Sequence, residues 1–506
     1  MLPPSRIVQA VVIACTSLLL AYPSVSHAQS LAQEQPATPS PTEIPSANPG
    51  ATASPTPGPA PSPSAAPSPS TPPPTLLPAS VSLMVTGSPA DTAFLQAQIN
   101  AAIGRALRSV AGADAGIRYG TPIPSLVPLA PGFSTTYDVP VTVSGGSMNP
   151  VQGIVAVSVQ NVNVPSAQPV LLALDDDPEY IRTDGVLFRG TIDAQRPTRV
   201  YYYHANVGTP RRFLVVLTGP ADAVARVHVV EASAGPNRDV MTVGHAVSRS
   251  FVLLEPQNEG VVIDVQATPP FFQRDTPLAP GDGVAGAVDL SVLNGTAVTM
   301  TVMAIPPNAD PSAYLGAQRV PTDGHNRHGT FALSDVERKI IAYTVGGPDA
   351  TVEYGSRAQS PANVDPNDAG RDAGDYGVVH RFTFDVNNPL DMPATVYLYE
   401  EPIGGVVRNS FLINGTLTEV GCARLSQRYQ VGSYQLGPRS SQTFDVTTMT
   451  DGGSNYPLEI GLTTTPPLPT TPPINAPDGC FPKASPSPQP SPSAAPPTSL
   501  PSPLPT

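Results

Sequence analysis

Val155-Ala156-Val157-Ser158-Val159-Gln160-Asn161-Val162-Asn163-Val164 decides how the middle of this chain is read. Three valines alternate with small or polar residues, the period of a strand with one face in a core and the other toward water. At Asn161 the phase slips, and Val162 and Val164 fall on the opposite face. A slip of one residue in a period of two is what a β-bulge or a strand break produces.

Outward from this stretch the β pattern recurs. Apolar, β-branched or aromatic runs lie at 169–174, 185–192, 199–204, 213–217, 225–230, 260–267 and 297–304. Further runs follow at 339–345, 378–386, 394–399, 442–449 and 458–464. Gly, Pro, Asn and Asp punctuate them every ~8 to 14 residues, the spacing of antiparallel sandwiches. The folding middle, 81–465, is too long for one hydrophobic core. The expected fold class is therefore all-β: two or three tandem immunoglobulin-like antiparallel β-sandwiches with one N-terminal helix, flanked by Pro/Ser/Ala-rich tracts.

That helix is expected near 90–110, after a short strand at 82–86. Ser88-Pro89-Ala90-Asp91 offers an N-cap, a proline at N1 and an acidic residue at N3. Leu95, Ile99, Ile103 and Leu107 follow at four-residue spacing, widened by Phe94 and Ala102, a stripe that would cover the first sheet. Residues 81–360 form the first β-rich region, with 81–165 as a candidate small subdomain, and 376–480 form the C-terminal sandwich. The boundary is expected in the loop 356–375, rich in Pro, Asn, Asp and Gly.

A gapped internal repeat supports two similar sandwiches. Arg199-Val-Tyr-Tyr-Tyr-His-Ala-Asn206, then Pro210 and the run 213–217, matches Arg381-Phe-Thr-Phe-Asp-Val-Asn-Asn388, then Pro393 and the run 394–399. Downstream, Leu278-Ala-Pro-Gly and Leu436-Gly-Pro-Arg each open a turn before an alternating strand.

The flanks read differently. Residues 35–80 and 466–506 hold 32 of the 66 prolines and three charged residues, Glu43, Asp478 and Lys483. Such Pro-Ser segments have fixed φ and nothing large and apolar to bury, so they are expected as extended, solvated spacers: 29–80 ahead of the sandwiches and 481–506 as a tail. The first 28 residues read as a secretory signal, with Arg6 before the apolar run 7–22 and small residues at Ser26 and Ala28. Cleavage is expected between Ala28 and Gln29, leaving no transmembrane segment. A lipid-modified Cys15 is the rival reading, and Leu18-Leu19-Leu20 continuing the apolar run beyond it argues against that. Two cysteines then remain, Cys422 and Cys480, and in an oxidising compartment they are expected to form a structural disulfide.

Net charge is −13, and only two lysines occur, Lys339 and Lys483. A chain without Lys/Arg clusters is poorly suited to nucleic acid or to anionic membrane surfaces. Four features were weighed for chemistry. His325 and His328 in Asp323-Gly-His-Asn-Arg-His-Gly could share a metal, but a loop does not fix both rings on one face. Asp175-Asp176-Asp177-Pro178-Glu179 and the loop carboxylates Asp365, Asp368, Asp372 and Asp375 suit calcium only loosely, since Ala369 and Tyr376 break the EF-hand pattern. Tyr201, Tyr202 and Tyr203 put two rings on one strand face and one on the other, for packing or for recognition. No G-x-S-x-G, S-x-x-K or H-E-x-x-H motif occurs, and tryptophan, the usual sugar platform, is absent.

The expectation is an exported, non-enzymatic bacterial surface or envelope protein without a cofactor, structural, adhesive or binding an unknown protein or glycan partner at the cell surface. A calcium- or glycan-binding module is the alternative, and a hydrolase without recognisable motif comes third.

Overall fold

The structure, a computed structural model, describes residues 77–470 apart from 112–115, 146–147, 326, 334–337, 357–359 and 367. The signal with Ala28 and Gln29, both spacers up to 76 and from 471, and Cys480 lie outside the described residues.

Strands dominate, in four sheets. The largest runs, edge to edge, through His328–Ala332, Leu171–Asp175, Thr198–Asn206, Gly283–Asn294, Ala225–Asn237, Val261–Val265, Ser80–Val85, Met148–Asn161, Ser134–Gly145 and Gly116–Tyr119, with Tyr180–Ile181 pairing beside Thr198–Asn206. A four-stranded sheet covers one part of it, in the order Phe271–Leu278, Arg211–Thr218, Ala297–Ile305, Gly185–Asp193. The C-terminal part repeats the scheme. Its five-stranded sheet runs Arg338–Thr344, Val379–Asn388, Ser440–Met449, Val407–Ile413, Thr416–Ala423, and its four-stranded sheet runs Tyr429–Leu436, Ala394–Pro402, Leu458–Thr463, Ala350–Tyr354.

The two halves are the same nine-stranded sandwich. In both four-stranded sheets the strands follow one another in the same spatial and sequential relation. Both larger sheets contain an equivalent parallel pair, Leu171–Asp175 beside Thr198–Asn206 and Arg338–Thr344 beside Val379–Asn388. In both, the second of these strands pairs antiparallel with a late strand, Gly283–Asn294 or Ser440–Met449. These parallel pairs depart from the purely antiparallel expectation. The faint sequence repeat marks one corner of this duplication, where the chain leaves the larger sheet after Asn206 or Asn388 and enters the smaller one.

Each copy encloses its own apolar core. In the first, Val200, Tyr202, Val288 and Leu290 meet Phe213, Val215, Met300 and Val302. In the second, Phe382, Phe384, Phe444 and Val446 meet Val396, Leu398, Ile460 and Leu462. Removing such side chains from water stabilises by ~1.5–3 kcal/mol each.

The copies differ at two places. Val407–Ile413 and Thr416–Ala423 join through Asn414 and Gly415, whose φ values of 47° and 81° are the left-handed pair that a tight hairpin turn needs. The equivalent connection in the first copy holds a helix, Val240–Gln257. The first copy also carries the segment 80–161, which extends its sheet edge when Ser80–Val85 pairs with Val261–Val265. This segment shares the first core.

The helix Thr92–Ala111 (α1) buries the expected stripe: Leu95, Ile99, Ile103 and Leu107 are inaccessible. It starts later than expected, because the side chain of Asp91 accepts from the backbone N–H of Ala93 and so caps it in place of Ser88. Val155, Val157 and Val159 are buried as their alternation demands, and Asn161 is a strand end, not a bulge. Its Nδ2 donates to the carbonyls of Gly87 and Leu129 at 3.0 and 2.7 Å.

Two expectations need correction. Arg338–Thr344 and Ala350–Tyr354 pair with C-terminal strands, so the chain enters the second copy ahead of the loop 356–375. And Val240–Gln257 (α2) is a second helix. Gly244, Pro256 and β-branched residues hide it in the sequence; Asp239, which caps it by accepting from Thr242 N–H, and Asn258 in the left-handed conformation mark its ends.

Candidate functional site

α2 lies between the two sandwiches and builds their joint. Val243, Val247, Phe251 and Val252 meet Tyr201, Tyr203, Ala285 and Ala287 of the first copy and Val379 and Met449 of the second. The approach is closest at Gly244. A Cβ there would stand 1.9 Å from the carbonyl oxygen of Gly452, in the loop after Ser440–Met449.

Charged groups cross the joint in pairs. Arg381 Nη2 donates to both carboxylate oxygens of Glu255 at 2.8 Å. Arg408 donates to Thr242 Oγ1 at 2.6 Å and to Asp239 Oδ2 at 3.2 Å. Arg199, 1% exposed, holds Asp289 with two bonds, donates to the Gly377 carbonyl at 3.0 Å and lies 4.5 Å over the Phe251 ring. His245 bridges Asp451 at 2.6 Å and Glu419 at 3.0 Å. Burial works against a charged His245 ring, yet the two carboxylates hold its pKa above the ordinary value.

Ser248 also donates to Asp451, which joins a serine, an aspartate and a histidine in one buried cluster. The order is wrong for a nucleophile. Asp451 stands between the other two, so no imidazole is placed to take the serine proton.

Beside the joint opens a cleft of ~180 Å³, lined by Asp176, Glu179, Tyr201, Tyr203, Arg327, Tyr376 and the loop 452–455. Two of the sequence features, the acidic run 175–179 and the tyrosine strand, meet here. Tyr201 and Tyr203 share the face toward the cleft, and Tyr376 stacks on Tyr201 at 6.3 Å. Tyr202 points the other way, into the first core beside Phe213. Arg327 donates to Asp176 at 2.6 Å and also to Glu179. Burial pushes the Asp176 carboxyl up to about 8 despite Arg327, and its Oδ1 has no hydrogen-bond partner among the described residues. Buried Tyr201 Oη also lacks one, and burial raises its pKa well above the phenol range.

The histidines and loop carboxylates disperse. His325 turns to Asp323 at 2.7 Å, whereas His328 sits between Asp177 at 2.9 Å and Asp368 at 3.0 Å. Asp175 holds the buried His204 ring at 3.1 Å, with the other ring nitrogen donating to the Pro178 carbonyl. Asp372 accepts from Tyr376 N–H, Asp375 accepts from Gly355 N–H, and Asp365 is exposed. Among the described residues no group of three or more His, Cys, Asp or Glu side chains could hold a metal ion. Cys422 lies on Thr416–Ala423.

Sequence reasoning missed Glu255, Arg381, Arg408 and the role of Arg327. Arg381 lies in a strand, Val379–Asn388, that mixes polar and apolar residues, so nothing local singled it out. Its partner lay in a helix that had not been expected.

No family model matches the chain, and no curated protein matches it. Among solved structures it is similar to tripeptidyl peptidase 2 (11% identity, 70% of this chain and 30% of that one, TM-score 0.15). The chain thus spans less than a third of that protein's length. It is also similar to Lac15 from a marine microbial metagenome (12% identity, 68% and 75% covered, TM-score 0.12). A third is the tandem CBM22 domain of Paenibacillus barcinonensis Xyn10C (9% identity, 52% and 74% covered, TM-score 0.11). At these TM-scores the likenesses carry no argument about fold or function.

Proposed function

We propose that this protein is an exported, non-enzymatic bacterial surface or envelope protein, in which two copies of one sandwich form a single body carried on proline-rich spacers. Its role is structural, adhesive or partner-binding. The observation that carries this reading is the joint. Arg381–Glu255, Arg408–Asp239 and His245–Asp451 tie strands of the second copy to a helix of the first, so the buried charges serve to fix one geometry. A fixed body on extended spacers suits presentation of a surface at a distance. No helix of the described residues is long and apolar enough to cross a membrane. The reading also places the protein beyond the inner membrane after cleavage at Ala28, with Cys422 and Cys480 paired.

Fractionation of cells expressing the full chain, with and without protease shaving of intact cells, tests it. The protein is expected in the envelope fraction and to be trimmed by external protease. Recovery from the cytoplasm, or only free in the medium, would overturn the surface role.

A further inference from the structure

Away from the joint cleft, a trough of ~580 Å³ opens between α1, α2 and residues 231–233 and 273–274. Its apolar wall is Phe94, Ala97 and Ala101 from α1 and Leu253 and Leu254 from α2. The volume is that of a small-molecule site, which typically spans ~300–1,000 Å³.

Its polar groups are unequally satisfied. Arg274 is consumed by the fold, donating to the carbonyls of Ala234, Gly235 and Ala285 and to Tyr202 Oη. Arg105 is not. Its guanidinium lies 5.2 Å over the Phe271 ring, and no hydrogen-bond acceptor among the described residues engages it. Burial lowers its pKa, and the nearby Glu231 charge opposes that shift. Glu231 is itself engaged by Gln273 Nε2, which leaves the buried Gln273 Oε1 without a donor. Glu259, at one end of the trough, accepts from the Asp91 N–H at the start of α1. A half-buried guanidinium and a buried amide oxygen thus line the same trough with bonding capacity that the described residues do not use. The guanidinium fork matches a carboxylate. Glu231 and Glu259 nearby disfavour a dianion such as a phosphate monoester.

We propose that this trough binds an amphipathic monocarboxylate, its apolar body along Phe94, Ala97, Ala101, Leu253 and Leu254, its carboxylate on Arg105, and an N–H or O–H of the ligand donating to Gln273 Oε1. Binding here is independent of where the protein resides in the cell.

N-Decanoylglycine, which has one carboxylate, one amide N–H and an apolar chain, serves as the probe in titration calorimetry on the full chain. Saturable binding is expected, weakened roughly 10- to 100-fold by Arg105→Gln, the worth of a charge-assisted hydrogen bond. The methyl ester of the probe should weaken comparably, and decanoate, without the amide, by several-fold. Ala97→Trp, a substitution at an exposed helix position that fills the trough, should abolish binding without lowering the melting temperature; it keeps the test valid if Arg105→Gln fails to fold. Absence of binding, or binding unchanged by both substitutions, would overturn the proposal. An ester that binds as tightly as the acid would overturn the role of Arg105, and decanoate binding as tightly as the probe would overturn that of Gln273.

Discussion

Asn206 and Asn388 occupy the same corner of the two sandwich copies and make the same pair of bonds there. Asn206 Nδ2 donates to the carbonyls of Thr209 and Leu278, both at 3.0 Å. Asn388 Nδ2 donates to Met392 and Gly437 at 2.9 and 2.8 Å. Each therefore ties the loop after its own strand to the turn that opens the late strand of its copy. Both asparagine side chains are fully buried.

Asn206→Ala and Asn388→Ala should each destabilise the protein by about 1–2 kcal/mol, since each removes two hydrogen bonds made by a buried side chain. Asn206 is the costlier site, because its Oδ1 accepts from the Arg211 guanidinium at 2.6 Å, whereas that of Asn388 accepts from the Leu390 N–H at 3.2 Å. Urea unfolding checks both, and a midpoint unchanged by either substitution would refute the role given to the corner.

Gly244→Ala places a methyl group where the Gly452 carbonyl already stands. The helix or the loop must shift, and about 3 kcal/mol or more should be lost, whereas Ala97→Gly, at an exposed position of α1, should cost only about 1 kcal/mol. Thermal melting of the two variants separates a packing effect from a helix-propensity effect.

Stability should fall as pH rises from about 6.5 to 8. Glu400 is fully buried, and burial pushes its carboxyl up to about 8 although Asn409 donates to it at 2.8 Å. The folded state thus keeps a proton that the unfolded chain has released, and this preference is lost as pH climbs through the folded value. Asp176, also raised to about 8, acts in the same direction. His228, lowered to about 4 by burial, opposes them only below its ordinary value of 6.5. Each raised group contributes up to about 1.4 kcal/mol per pH unit. Melting temperatures across this window should decline, and Glu400→Gln should flatten the decline; a rise with pH would contradict the assignment.

Pairing of Cys422 with Cys480 would close a loop of about 59 residues. Reduction should then cost roughly 4 kcal/mol in the chain-entropy account. Thiol labelling of the non-reduced, unfolded protein should modify neither cysteine, and modification of both would refute the pairing.

The sandwich strands were legible wherever one face alone is buried, as at Val155, Val157 and Val159, because a period of two survives in the sequence. Gly283–Asn294, buried along most of its length, carries small residues and glycines, and the turn Leu278-Ala-Pro-Gly ahead of it was its main signal. α1 was legible because its stripe covers one sheet only. α2 packs against both copies, so its apolar residues surround more than one face, and its glycine serves a close contact that lies 208 residues away in the chain. The joint cleft drew residues that had been noticed separately, Asp176, Tyr201 and Tyr203, but nothing local in the sequence says that they meet. Arg327 stands between two histidines in the sequence, while its Asp176 and Glu179 contacts are set by tertiary pairing alone.

The central claim is that α2 and its cross-joint ion pairs make the two sandwich copies one body. Scanning calorimetry of the full chain tests it most directly. The intact protein should unfold in one transition, with calorimetric and van't Hoff enthalpies in agreement, and the double variant Arg381→Ala/Arg408→Ala should split it into two. Two separate transitions in the intact protein, both unmoved by the double variant, would contradict the claim.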